Sequence, residues 1–196
     1  MTTAGILVFP GADELDVVGP FRVLRAARIE TLLVAERPGP VTLGNGLTLE
    51  ATTSYDDCPP LDVVVATGGS SESETAGRRV EQRTPATVAF VRHASDAAGI
   101  TASVCTGAFL LAEAGALKGR RANTHWAYRD ELVELMRERG EDFQLVTDRV
   151  VWDGDDLVTA GGVTSGIDLG LAIVGKLLGE RAKEQVAKGL EIETPA

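Results

Sequence analysis

Cys105 and Asp16 are the residues whose types and settings offer chemistry. Cys105 stands in "SVCTG", residues 103–107, where a β-branched run gives way to the helix-forming stretch "GAFLLAEAG". Small residues on both sides permit the sharp strand-to-helix turn of a nucleophile elbow. At a helix N-terminus, unpaired N–H groups and the helix dipole favour an anion, so the expectation is a stabilised thiolate, the attacking form of cysteine. An isolated cysteine is more often a small buried hydrophobe; the junction and the flanking Thr106-Gly107 pair favour the nucleophile. Cys58, before Pro59-Pro60 in a loop, reads as structural. Asp16, in "LDVVGP", reads as a helix N-cap, as an acid–base group, or as both. His125, in "ANTHW", ends a predicted strand and can approach the elbow, yet a histidine beside Trp126 also fits a packed, hydrogen-bonded role. His93, next to Arg92, reads as solvated.

Strands and helices must bring these groups together. "AGILVFP", residues 4–10, is a continuous apolar run ended by Pro-Gly, as in a strand buried on both faces. "DVVGPFRVLRAAR" predicts a helix with Asp16 as N-cap and Pro20 in an early turn, followed by the strand "IETLLVAE". Asn45-Gly46 between two alternating arms predicts a hairpin. "LDVVVATGG", residues 61–69, is a buried strand that runs into Gly68-Gly69. A helix from Thr84-Pro85 to Ala98 carries Val88, Val91 and Ala94 on one face. "ITASV" is the next strand, and Thr106 to Leu117 a helix closed by Gly119. Residues 128–139 form another helix, and a second hairpin turns near Asp153-Gly154. Gly166 to Leu178 is apolar on nearly every side and predicts a deeply covered helix; Glu180 to Lys188 is a short polar one.

Alternating strands and helices require crossover connections, hence an α/β fold with a mostly parallel sheet covered by helices on both faces. With no repeat or linker, residues 1–196 read as one domain. Ligands bind such sheets outside the carboxyl ends of the strands. Three exits meet there: Gly11 to Asp16, Gly68-Gly69, and Cys105-Thr106.

The chain has 196 residues, 44% hydrophobic and 24% charged, and a net charge of −10. That balance supports a sizeable core and argues against nucleic acid and anionic membranes as partners, since both call for clustered Lys and Arg. No apolar run spans a bilayer, no signal peptide precedes the first strand, and two cysteines make no disulfide framework, so a reducing cytoplasm is the expected setting. "GGVTSG", residues 161–166, lacks the Lys-Ser/Thr ending of a phosphate loop and reads as a tight turn. "DGDDL" has the wrong spacing for a calcium loop, and the two histidines and two cysteines are too scattered for a metal site. Glu131, Glu134, Glu138 and Glu141 read as a solvated face.

"LDVVGP", "TGG", "SVCTGAFLLAEAGALKGRRANTHWA" and "AGGVTSGID" together resemble the ThiJ/PfpI superfamily, over nearly the whole chain, and within it the isonitrile (isocyanide) hydratases. Regulators with an amidotransferase-like sensor domain share much of the central string. The resemblance implies a flavodoxin-like three-layer sandwich, a reactive cysteine in a strained elbow, a homodimer, a small-molecule substrate and no cofactor. It implies that Cys105 adds to an isonitrile carbon to give a thioimidate, that Asp16 handles protons, and that Thr106 binds substrate or orients Asp16. By the same analogy Gly68, Gly69, Val163 and His125 border the substrate, with N–H groups near Gly69 and Thr106 as anion-stabilising donors. Thr67 replaces a proline common before the glycine pair, and the polar "SSESET" loop after it bears on substrate size.

The chemistry is coherent in its own right. Thiolate attack on an isonitrile carbon must be accompanied by protonation, so Asp16 must have a raised pKa and titrate jointly with Cys105. Two other classes stay open: another thiol enzyme of the superfamily, glyoxalase-like or a small-amide hydrolase, and a non-catalytic sensor of oxidation or ligand. Thr106 where several branches have histidine counts against amide hydrolysis. The lack of an appended helix-turn-helix counts against a transcription regulator.

Overall fold

The computed structural model describes residues 2–69 and 73–193. Its main sheet has seven strands in the order β10-β11-β7-β6-β1-β2-β5. These are β10 (Val150–Asp153), β11 (Leu157–Ala160), β7 (Ile100–Val104), β6 (Val63–Ala66), β1 (Thr3–Leu7), β2 (Glu30–Ala35) and β5 (Thr53–Ser54). All neighbours run parallel except the edge pair β10–β11. Every residue of β6, β7 and β11 is buried, which fits their largely apolar sequences, broken only by Thr101, Ser103 and Thr159. Two small ribbons flank the sheet: β3 (Gly39–Thr42) with β4 (Thr48–Ala51), and β8 (Arg120–Ala122) with β9 (Phe143–Leu145). Both predicted hairpins form.

The longer helices are α1 (Glu14–Ala26), α3 (Pro85–Ala97), α5 (Arg129–Glu138), α6 (Ser165–Leu178) and α7 (Glu180–Gly189); α2 (Arg78–Glu81) and α4 (Ala108–Ala114) are short. α1 packs on α6 at close range, since a Cβ at Gly170 would stand 2.8 Å from Val23 Cβ.

Several local expectations change. α4 ends at Gly115, which adopts φ +84°, rather than running on toward Gly119. Thr87, not Val88, is the buried partner of Val91 and Ala94 on α3, because its hydroxyl is satisfied by Glu81 Oε2 at 2.6 Å. The early turns of α6 are covered, but Leu178 at its end is 47% exposed, since the chain turns away into α7. The glutamates are not uniformly solvated: Glu131 pairs with the fully buried Arg78 at 3.0 Å, and Glu141 Oε2 is buried. No helix among the described residues is long and apolar enough to cross a membrane.

The chain leaves β1 toward β2 on one side and returns to β6 on the other. Their carboxyl ends therefore diverge at the crevice where such sheets bind ligands. Asp16 follows β1, the glycine pair follows β6, and Cys105 follows β7 next door.

Candidate active site at the strand-to-helix elbow

Cys105 has φ +56°, a left-handed conformation that costs a side-chain-bearing residue on the order of 1–2 kcal/mol. Two hydrogen bonds hold it. Cys105 N–H donates to Gly161 O at 2.8 Å, and Thr124 Oγ1 donates to the Cys105 carbonyl at 2.8 Å. Gly107 is a further requirement, because a Cβ there would lie 2.1 Å from the Ala66 carbonyl oxygen. Sequence reasoning foresaw the elbow but missed Thr124 and Gly161. The one local trace of Thr124 is its place just after β8, beside His125 in "ANTHW".

Asp16 is not the N-cap. Asp13 takes that role, its carboxylate accepting from Leu15 N–H at 2.9 Å. Asp16 therefore lies inside the first turn of α1, with no exposed surface. Its Oδ2 accepts from Gly68 N–H at 3.1 Å, and its Oδ1 is buried without such a partner among the described residues. The carboxyl interacts with the Cys105 side chain. Burial first, and repulsion from Asp13 second, push Asp16 well above the usual carboxylate range. This is the direction that proton donation requires.

The thiol goes the opposite way from expectation. Burial first and the Asp16 carboxyl second push Cys105 up to about 12. The N–H groups of Val163 and Thr106 face the sulfur and lower its pKa by less. A tight 3₁₀ turn over Cys105–Gly107, followed by only seven residues of α4, supplies little dipole. Desolvation of a residue 6% exposed outweighs it. At neutral pH the resting site holds a thiol beside a carboxyl whose ionisation is disfavoured.

Thr106 neither orients Asp16 directly nor points a free hydroxyl at a substrate. Its Oγ1 accepts from Gly69 N–H at 3.1 Å and donates to Gly69 O at 3.2 Å. The Gly68 and Gly69 N–H groups are thus both engaged, which removes Gly69 as an anion-stabilising donor. The groups aimed at the sulfur are those of Thr106 and Val163. Val163 has φ +27°, a strained setting for a β-branched residue. The glycine pair is further bound by Asp13 N–H to Gly68 O at 3.1 Å and by an Ala12–Gly69 bridge. Glu14 fixes the helix start from outside, accepting from Asn45 N–H at 2.7 Å and Asn45 Nδ2 at 2.6 Å in the β3–β4 turn.

His125 joins the site through the 161–165 loop. Its imidazole packs on Gly162, where a Cβ would lie 2.6 Å from Cδ2. Burial and the charge of Arg129 lower its pKa, so the ring is neutral near pH 7. Thr67 turns inward, its Oγ1 donating to Leu7 O at 2.7 Å, and so ties β6 to β1 instead of shaping the pocket. Residues 70–72 of the polar loop lie outside the described residues.

Residues 2–176 match the model of the DJ-1/PfpI family. The isonitrile hydratase of Pseudomonas putida is 40% identical over 188 residues, covering 95% of this chain and 77% of that protein. A ThiJ/PfpI family protein from Pseudomonas syringae has a solved structure that matches with a TM-score of 0.89 at 30% identity, covering 100% of this chain and 76% of the other. DJ-1beta of Drosophila melanogaster matches with a TM-score of 0.82 at 25% identity, covering 98% and 99%.

Proposed function

The chain belongs to the DJ-1/PfpI family, and on that premise we propose that it hydrates isonitriles to N-substituted formamides, with Cys105 as nucleophile and Asp16 as proton carrier. The observation that carries this reading is the buried pair of the Cys105 thiol and an Asp16 carboxyl whose ionisation burial disfavours. The 40% identity to the Pseudomonas putida hydratase supports the substrate class.

In the first step a sulfur–carbon bond forms at the terminal isonitrile carbon. The thiol proton moves to Asp16, and Asp16 delivers a proton to the same carbon, giving the thioimidate R–N=CH–S–Cys105. Oδ2 accepts from Gly68 N–H and Oδ1 has no hydrogen-bond partner among the described residues, so the carboxyl keeps capacity to take up the proton. The N–H groups of Val163 and Thr106 support the sulfur as its proton leaves. Water then adds to the thioimidate carbon and the carbon–sulfur bond breaks. The products are R–NH–CHO and the original thiol, so one water is consumed per isonitrile and no oxidant or cofactor enters.

A high-pKa thiol with so little exposed surface is a poor redox sensor, which sets that reading second. The proposal treats residues 1–196 as one domain acting in the cytoplasm as a homodimer. An apolar groove beside the exposed Leu15 and Val18 of α1, lined also by Leu190 and Ile192, supports such pairing.

The test is formamide production from p-nitrophenyl isocyanide, followed by absorbance. Wild type turns over and Cys105→Ala does not. A mass increase equal to one isonitrile on Cys105 in quenched samples identifies the thioimidate. No formamide above the Cys105→Ala background would remove the proposal.

A further inference from the structure

A cavity of about 420 Å³ lies against the 161–165 loop, with His125, Trp126, Arg129, Arg149, Gly162 and Val163 among its lining residues. Val163 also turns its N–H toward the Cys105 sulfur. The cavity and the reacting atom thus share one stretch of backbone.

Charge is unevenly matched in this cavity. Arg149 is paired, with Nε on Asp168 Oδ2 at 2.6 Å and Nη2 on Thr164 Oγ1 at 3.0 Å. Arg129 has no such partner. Its guanidinium bonds only neutral acceptors at long range, Asn123 Oδ1 at 3.3 Å and Thr147 O at 3.4 Å. Among the described residues it takes part in no ion pair, although the chain carries a net charge of −10. Its charge is felt at His125, where it helps lower the pKa. His125 Nδ1 accepts from Ala127 N–H at 3.3 Å, which leaves Nε2 to carry the ring proton. Trp126, 72% exposed, stands with its ring 5.7 Å from that imidazole. A guanidinium without a carboxylate, an imidazole N–H and a bare indole around one cavity match a flat or short group that ends in a carboxylate.

We propose that this cavity receives the N-substituent of the substrate and selects isonitriles whose substituent ends in a carboxylate, held by Arg129 with His125 and Trp126 beside it. The inference rests on the hydratase reading and narrows its substrate class.

4-Isocyanobenzoate and its methyl ester present the same ring with and without the charge. Wild type prefers the carboxylate, and Arg129→Gln lowers the carboxylate-over-ester ratio of kcat/KM by about tenfold, the scale of one charge-assisted hydrogen-bonded pair. Circular dichroism and Tm report that the variant is folded. If Arg129→Gln does not fold, Arg129→Lys replaces it: the charge stays, the forked geometry goes, and a smaller drop in the ratio is expected. A ratio unchanged by substitution, or a wild-type preference for the ester, overturns the proposal. If neither compound is turned over, p-nitrophenyl isocyanide decides the hydratase reading separately, and calorimetry with 4-formamidobenzoate decides the subsite on its own. Binding that weakens about tenfold in the variant upholds a carboxylate site; absent or unaltered binding overturns it.

Discussion

Thr124 donates its hydroxyl to the carbonyl of Cys105 at 2.8 Å, across 19 residues of sequence and with no exposed surface of its own. That bond fixes the far side of a strained peptide, while Gly161 O holds the near side. Thr124→Val keeps the shape and removes the donor, which leaves a buried carbonyl unpaired at a cost of about 1–3 kcal/mol. Urea unfolding is expected to show that loss, with turnover reduced further because the elbow relaxes. Unchanged stability and turnover would mean that the bond does not hold the elbow.

Asp16→Asn separates thiol reactivity from catalysis. The carboxyl raises the Cys105 pKa, so its removal increases the thiolate fraction, and iodoacetamide labelling of Cys105 at pH 8 speeds up. Hydration slows by about 10²–10⁴, the usual contribution of a general acid–base group. Cys58→Ser provides a clean background for the labelling, followed by intact-mass analysis. Parallel changes in both rates would contradict the proton-carrier role.

The same substitution alters stability against pH. Asp16 has a raised pKa in the fold, so its contribution is fully present below the ordinary carboxylate value of 3.8 and is lost as pH rises through the raised one. The slope from one group is at most about 1.4 kcal/mol per pH unit. Asp16→Asn therefore gains in Tm on wild type between pH 4 and pH 7 (this window starts at the ordinary value of the carboxyl). Cys105 adds a second decline, from its ordinary 9 up to about 12, that Cys105→Ala abolishes. Parallel Tm curves would show that neither group is perturbed.

Gly107→Ala forces a methyl against the Ala66 carbonyl, 2.1 Å from the ideal Cβ position. The backbone must move, because the obstacle is main chain; overpacking of this kind costs about 1–3 kcal/mol or more. The measurement is the denaturation midpoint, expected to fall along with turnover. Wild-type values would show that the elbow is more pliable than its geometry implies.

Much of this site was legible because its signals are local. The runs "ILVFP", "VVVA" and "ITASV" mark strands covered on both faces, Asn45-Gly46 marks a turn, and "SVCTG" marks the elbow. The sequence reading places the N-cap on Asp16, whereas Asp13 caps the helix and Asp16 is buried inside its first turn; a cap signal does not say which residue faces the sheet. The thiol's pKa was misjudged because the helix dipole can be read along the chain whereas desolvation depends on segments brought in from elsewhere. Thr124 and Gly161 escaped for the same reason, since each acts on Cys105 across a long loop. The sequence places Thr106 beside the cysteine but does not show that its hydroxyl serves Gly69.

The glycine pair is bound at once to the exit of β1, to the cap of α1 and to the elbow hydroxyl. These attachments make the floor of the crevice one cooperative unit. In heavy water the amide protons of Gly68 and Gly69 would survive local breathing and be replaced only when β1, β6 and the elbow part together. Deuterium uptake at two backbone positions would then count the molecules that have lost their chemistry.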